Sequence, residues 1–147
     1  MSTYTIGLTK KNAQLFFNLL KEAQITKLID VRLNNVSQLA GFAKKDDLKF
    51  FLNELCNGAE YIHTPELAPT KDMLNSYKKG EITWEKYEND FLDLMKKRDI
   101  QNKFKPDFFE NGCLLCSEHE PHLCHRRLVV DYLNKHWKTK LDVKHLF

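Results

Sequence analysis

Hydrophobic positions recur along the chain with two different spacings, and these spacings predict strands that alternate with helices. Short apolar runs bounded by polar residues or proline predict five strands. The predicted strands cover residues 4–8, 27–32, 60–64, 112–118 and 141–146. Because such an alternation forms βαβ units, we expect an α/β fold: a single three-layer Rossmann-like domain with a mainly parallel five-stranded sheet and helices on both faces.

The helices are predicted from apolar residues spaced three and four positions apart. The first runs from an N-cap at Thr9 to Ala23, and the clearest stripe between the third and fourth strands starts at Thr83. Pro121 suits the first position of a last helix that runs to about Trp137. The long connection between the third and fourth strands favours the strand order 3-2-1-4-5, with a crevice at the carboxyl ends of strands one and four.

Length and composition are those of one globular domain. At 147 residues, the chain predicts a single domain over residues 1–147. Its 42% apolar and 29% charged residues exclude a disordered chain, a collagen and a coiled coil. A net charge of +3 is too small to indicate nucleic-acid or membrane binding by itself.

The amino terminus and the cysteines indicate a compartment. The first residues have neither the basic segment nor the apolar segment of a signal peptide. Apolar runs stay far shorter than the roughly 20 residues that cross a membrane. We therefore expect a cytoplasmic protein with no membrane partner, in which Cys56, Cys113, Cys116 and Cys124 are reduced thiols.

The candidate chemistry collects where the predicted strands end. Ligands of open α/β sheets bind at the carboxyl ends of the strands, and residues 116–127 carry the densest set of reactive side chains. The candidate catalytic residues are Cys116, Glu118 and His125. The candidate ligand-binding residues are Gly7, Asp30, Arg32, Cys124 and Arg126.

Helical periodicity predicts the direction of the first side chains of the last helix. His125 and Arg126 fall within its apolar arc, whereas Arg127 falls opposite. A buried guanidinium needs a partner, and the candidates are Glu118, Asp30 or a bound anion. The free N–H groups at a helix start also suit an anion. The pattern therefore predicts an anion-binding pocket.

The cysteines allow several interpretations. Cys116 is either a nucleophile or a small buried strand residue. Cys124 lies near a helix start, which favours a low pKa, although the helical wheel turns it toward the polar arc and away from His125. Cys113 and Cys116 are three apart on a strand and so face opposite ways, which argues against a zinc site built from both. We assign no metal ligand, while a metal site using His125, Glu118 and Cys116 stays open.

Asp30 and Arg32 also have a purely structural interpretation. Both lie at the end of the second predicted strand. A charge pair in such a place is often an ion pair that fixes the following loop. Their position at the ligand-binding edge keeps a binding role open beside the structural one.

Five short motifs occur in a characteristic order along the chain. They are Tyr4-Thr5-Ile6-Gly7, Asp30-Val31-Arg32, Pro65-Glu66-Leu67, Leu115-Cys116-Ser117-Glu118 and Cys124-His125-Arg126. In order and spacing they resemble the family known as domain of unknown function DUF488, over essentially the whole chain. The resemblance implies an α/β fold and a shared site, and it implies no particular reaction.

Two classes of function fit this site. The first is an enzyme acting on a nucleotide or a phosphorylated small molecule. Arg32 and Arg126 would hold the anion, Glu118 or His125 would be the general acid or base, and Cys116 the nucleophile. The alternative is a non-catalytic ligand-binding or nucleic-acid-associated regulatory module, and the weak net charge makes nucleic acid the less favoured partner. The sequence has no organic cofactor motif, and it leaves a divalent metal and the oligomeric state open.

Overall fold

The computed structural model describes residues 1–33, 41–117 and 124–147. Within these ranges, five strands form one sheet in which every pairing is parallel. The strands are β1 (Ser2–Gly7), β2 (Lys27–Asp30), β3 (Glu60–His63), β4 (Gly112–Cys116) and β5 (Asp142–Leu146). Together with helices on both faces, this sheet confirms the predicted three-layer α/β architecture.

The expected strand order is wrong. The observed order is β3-β2-β4-β1-β5, so β4 and not β1 lies next to β2. All five residues of β4 are buried, whereas Ser2 at the start of β1 is exposed. A strand buried on both faces belongs at the centre of a parallel sheet, which explains the place of β4. Because β1 and β4 remain neighbours, their carboxyl ends still lie side by side.

Seven α-helices connect or follow the strands in the described ranges. They are α1 (Ala13–Glu22), α2 (Lys45–Leu55), α3 (Lys71–Lys78), α4 (Trp84–Arg98), α5 (Ile100–Lys103), α6 (Pro106–Phe109) and α7 (His125–His136). At 15 residues, α4 is about 22 Å long and shorter than the roughly 30 Å hydrocarbon core of a bilayer. None of the helices in the described part of the chain has the length and apolar character needed to cross a membrane.

Two helix starts differ from expectation. The N-cap of α1 is Asn12, whose side chain accepts a hydrogen bond from the Leu15 amide at 2.8 Å. Thr9 does not cap α1, and its hydroxyl donates instead to the Ser117 carbonyl. The last helix begins at His125 and not at Pro121, because Cys124 is extended with φ −139° and ψ 142°. Pro121 itself lies outside the described residues.

The apolar side chains of the described residues form two buried clusters, one on each face of the sheet. The face that packs against α4 and α7, here called the α7 face, includes Leu114 and Cys116 of β4. The opposite face, which packs against α1 and α2 and is called the α1 face, includes Cys113 and Leu115. The alternation of β4 therefore separates its two cysteines, as the sequence predicts.

Candidate functional site

The end of β4 and the start of α7 bring two thiols and an imidazole together. Cys116 is the last residue of β4, Cys124 directly precedes α7, and His125 is its first residue. The two sulfur atoms and a ring nitrogen of His125 lie within 4.8 Å of one another, and all three side chains are buried. We refer to these three residues as the Cys/His cluster.

The imidazole of His125 is held in one orientation. Its Nε2 lies 2.7 Å from the carbonyl oxygen of Val31, at the end of β2. A carbonyl oxygen can only accept, so Nε2 carries the hydrogen and donates it. In the neutral ring, Nδ1 therefore carries the lone pair, and it lies 3.3 Å from the Cys116 sulfur. The Phe91 ring packs against the imidazole with a centroid separation of 5.5 Å.

The thiols on the two faces of the sheet have different acidities. Burial acts to raise the pKa of the Cys124 thiol, but hydrogen bonds with Cys116 and His125 and the nearby charge of Arg126 hold it well below its usual range. Burial raises the pKa of Cys113 on the α1 face. The thiolate form is therefore favoured at the start of α7 and disfavoured at Cys113.

The expected position of Cys124 is wrong. The helical wheel predicts that the Cys124 side chain points toward the polar arc and away from His125. Cys124 is instead an extended residue before the helix, with 2% of its surface exposed. Helical periodicity does not apply to it, and its sulfur lies beside Cys116 and His125.

Arg126 lies in the first turn of α7 and is fully buried. Its Nε donates to the Thr5 hydroxyl of β1 at 3.3 Å. The Thr5 hydroxyl can then donate to Nδ1 of His145, which is 2.5 Å away on β5. Burial and the charge of Arg126 lower the pKa of His145, which fits a ring that accepts this bond.

Arg127 points away from the sheet, as the helical wheel predicts. Its guanidinium forms an (i, i+4) ion pair with Asp131 at 2.9 Å, and both side chains are partly exposed. Two adjacent arginines therefore occupy opposite environments. This contrast provides a matched pair for mutagenesis.

Lys11 is a site residue that sequence analysis missed. It follows β1 and has only 9% of its surface exposed. Burial lowers its pKa, and so does the charge of Arg126, which places the two cations within electrostatic reach of each other. Its position just after the end of a strand could have indicated a site residue. However, Lys11 follows Lys10, which is exposed, and two adjacent lysines are typical of a solvated surface.

Asp30 and Arg32 form a buried bidentate ion pair. The Nε and Nη2 atoms of Arg32 donate to the two carboxylate oxygens of Asp30 at 2.9 and 2.8 Å. Nη2 also donates to the Ala43 carbonyl at 2.8 Å, and the Tyr61 hydroxyl donates to Asp30 at 2.6 Å. Burial acts to lower the pKa of Arg32, but Asp30 and Tyr61 outweigh it and raise that pKa. The pair therefore ties β2 to β3 and to the 3₁₀ turn Gly41–Ala43.

The candidate residues divide between the two faces of the sheet. Alternation along β2 places Asp30 with Leu28 on the α1 face, while Cys116 and the α7 residues lie on the other face. Val31 links the two sets, since its carbonyl binds His125. The carboxylate of Asp30, expected as one partner of Arg126, is bound by Arg32 and Tyr61.

Gly7 and Glu118 are the two remaining candidate residues. Gly7 ends β1 and lies opposite Cys116 in the β1–β4 register, so its backbone lies beside the Cys/His cluster. Glu118, expected as an acid or base and as a partner of Arg126, lies outside the described residues. The sequence left open a metal site made of His125, Glu118 and Cys116, and among the described residues the group with donor atoms close enough to hold an ion is Cys116, Cys124 and His125.

The parallel sheet with helices on both faces defines a Rossmann-like α/β protein. Its candidate site lies at the carboxyl ends of the strands, where thiols, an imidazole and buried cations come together. The family model for the domain of unknown function DUF488 matches residues 12–133, so the chain belongs to that family. This confirms the resemblance carried by the sequence motifs. The match includes the Cys/His cluster and Arg126, while Lys11 directly precedes it. No curated protein and no solved structure matches the chain.

Proposed function

We propose that the carboxyl edge of the sheet binds an anionic small molecule, of the nucleotide or phosphorylated-metabolite class, and acts on it through the Cys/His cluster. The observation that carries this proposal is the fully buried Arg126 in the first turn of α7, with Lys11 within its electrostatic reach. Two cations in a desolvated setting favour an anion between or beside them.

The start of α7 adds to this attraction. The first N–H groups of a helix lack intrahelical acceptors and carry a partial positive charge, so they favour phosphate groups. The 12 residues of α7 supply a full helix dipole at the point where Arg126 is buried. Arginine adds a planar fork of donors that matches phosphate oxygens. The helix start and both cations therefore favour the same class of ligand.

The Cys/His cluster supplies the reacting group of the proposed enzyme. Arg126 is adjacent in sequence to His125, and its charge acts on the Cys124 thiol. An anion held by Arg126 would therefore lie near the cluster. We also propose that the protein is cytoplasmic, a compartment in which its four buried cysteines would stay reduced.

A thermal-shift screen over nucleotides, phosphorylated metabolites and inorganic phosphate tests the proposal. At 100-fold excess over its Kd, a ligand should stabilise the wild type by about 2.7 kcal/mol. We expect Lys11→Gln and Arg126→Lys to lose most of this shift. Their neighbours provide matched controls, and Lys10→Gln and Arg127→Ala should retain it.

Two results would reject an anion site at this edge. One is the absence of any stabilising phosphorylated compound for the wild type. The other is an equal shift in the Lys11→Gln variant and its Lys10→Gln control. Arg126→Lys and its control Arg127→Ala form a second pair of variants. Arg126→Lys preserves the positive charge and most of the side-chain volume, so loss of binding in this variant is not explained by loss of the fold.

A further inference from the structure

We propose that Cys116, Cys124 and His125 bind one zinc ion through their two sulfur atoms and the Nδ1 atom of His125. The inference goes beyond the proposed function, because the ion would bind whether or not an anion occupies the edge. It assigns a chemical state to the Cys/His cluster, namely a metal centre rather than a pair of metal-free cysteines.

The distances within the cluster fit a tetrahedral ion. Zinc–sulfur bonds of about 2.3 Å and zinc–nitrogen bonds of about 2.0 Å place a sulfur and a nitrogen ligand roughly 3.5 Å apart, and two sulfurs roughly 3.8 Å apart. The Cys116 sulfur lies 3.3 Å from His125 Nδ1, and the three donor atoms lie within 4.8 Å of one another. The Cys116 sulfur is also 3.8 Å from Nε2 and so lies over the imidazole ring, and rotation of the cysteine side chains would bring the sulfurs into line with the Nδ1 lone pair.

The surroundings of His125 are those of a metal ligand. Its Nε2–H donates to the Val31 carbonyl at 2.7 Å, which leaves the lone pair on Nδ1, the ring nitrogen nearer the Cys116 sulfur at 3.3 Å against 3.8 Å for Nε2. Metal-binding histidines usually donate their other ring N–H to a carbonyl or carboxylate, which fixes the tautomer and the ring orientation. The Phe91 ring holds the imidazole from the side.

The ligand types and their burial favour zinc over harder cations. Thiolate and imidazole suit zinc, whereas magnesium and calcium prefer oxygen ligands. Binding releases the thiol protons to solvent, so two thiolates balance the charge of the dication. The site therefore adds no net charge beside Arg126. Cys116 and Cys124 belong to the apolar cluster of the α7 face.

Within residues 1–33, 41–117 and 124–147, three side chains are placed to bind the ion, which is the number that catalytic zinc sites use. Such sites hold the ion with three side chains and leave the fourth position to water or a substrate oxygen. The described residues supply three donors of this kind in one cluster. An oxygen of the anion proposed above would be a suitable fourth ligand, which would polarise the group to be attacked.

Cobalt(II) provides an optical probe of this site, because it takes the place of zinc and absorbs when thiolates bind it. Full-length protein would be reduced, stripped with a chelator and titrated with Co²⁺ alone. We expect a thiolate-to-cobalt charge-transfer band that saturates at one equivalent and is lost when one equivalent of Zn²⁺ is added. Absence of this band in the wild type would overturn the proposal.

The other two cysteines of the chain are matched controls. Cys116→Ser and Cys124→Ser should lose the charge-transfer band, whereas Cys56→Ser and Cys113→Ser should retain it. A band that survives at full intensity in both Cys116→Ser and Cys124→Ser would place the metal elsewhere and overturn the assignment. Circular dichroism of each variant verifies that it is folded.

A second measurement avoids mutation altogether. In wild-type protein, alkylation of each cysteine would be followed by mass spectrometry with Zn²⁺ and with a chelator. We expect the chelator to speed alkylation at Cys116 and Cys124 specifically, and equal rates under both conditions would contradict the site. The phosphate-compound screen would be repeated on metal-free protein to separate the two proposals. Cobalt binding without any stabilising phosphorylated compound would support the metal site and reject the anion site.

Discussion

Arg126→Ala should lower the free energy of unfolding by about 3–5 kcal/mol, the range seen when a large buried side chain is truncated. Arg126 is the largest fully buried side chain in the described part of the protein. Its removal leaves a cavity between α7 and β1 and takes a donor from the Thr5 hydroxyl. Urea denaturation, followed by circular dichroism, measures the loss.

Arg127→Ala is the matched control for this prediction. The Arg127–Asp131 pair is partly exposed, and ion pairs of that kind contribute at most about 1 kcal/mol. Arg126→Lys should restore part of the stability, because an ammonium keeps the charge but lacks the planar fork of donors. Equal and small losses for Arg126→Ala and Arg127→Ala would show that α7 is rotated relative to the sheet.

Asp30→Ala should cost a similar amount, about 3–5 kcal/mol, because it leaves the Arg32 guanidinium buried without its carboxylate. Asp30 is fully buried and Arg32 is 3% exposed. The substitution also deprives the Tyr61 hydroxyl of its acceptor, which weakens the connection between β2 and β3. The free energy of unfolding from urea titration again measures the effect.

The exposed Lys86–Asp90 pair of α4 provides the comparison. Its atoms are 3.0 Å apart, but both side chains are solvent-accessible, so Asp90→Ala should cost less than about 1 kcal/mol. Arg32→Lys should also lower the free energy of unfolding, because a single ammonium cannot bind both carboxylate oxygens of Asp30 and the Ala43 carbonyl. A loss at Asp30 no larger than that at Asp90 would contradict the structural role of the pair.

The fold class was predictable because it depends on local patterns. An apolar run, or a stripe of apolar residues at helical spacing, predicts the buried side of a single strand or helix. The alternation of strands and helices then indicates the parallel α/β architecture. The strand order depends on a comparison between elements. Gly112–Cys116 is buried throughout while β1 begins with exposed Ser2, and this difference in burial fits the central place of β4.

The candidate site was predictable where one element determines the side-chain direction. Helical periodicity correctly separated buried Arg126 from outward-facing Arg127. It misplaced Cys124, because the helix begins one residue later and the extended backbone turns that sulfur inward. The burial of Lys11 depends on the packing of other elements around it, which no local pattern reports.

Backbone amide shifts in ¹H–¹⁵N NMR spectra locate a bound ligand on the sheet. The strongest stabilising phosphorylated compound would be titrated into labelled full-length protein. We expect the largest changes at the carboxyl edge, at the amides of Leu8, Ser117 and Arg126. Thr26 and Gly58, at the opposite edge of the sheet, should remain unchanged. Changes concentrated at those two amides, with none at the start of α7, would contradict a binding site built around Arg126.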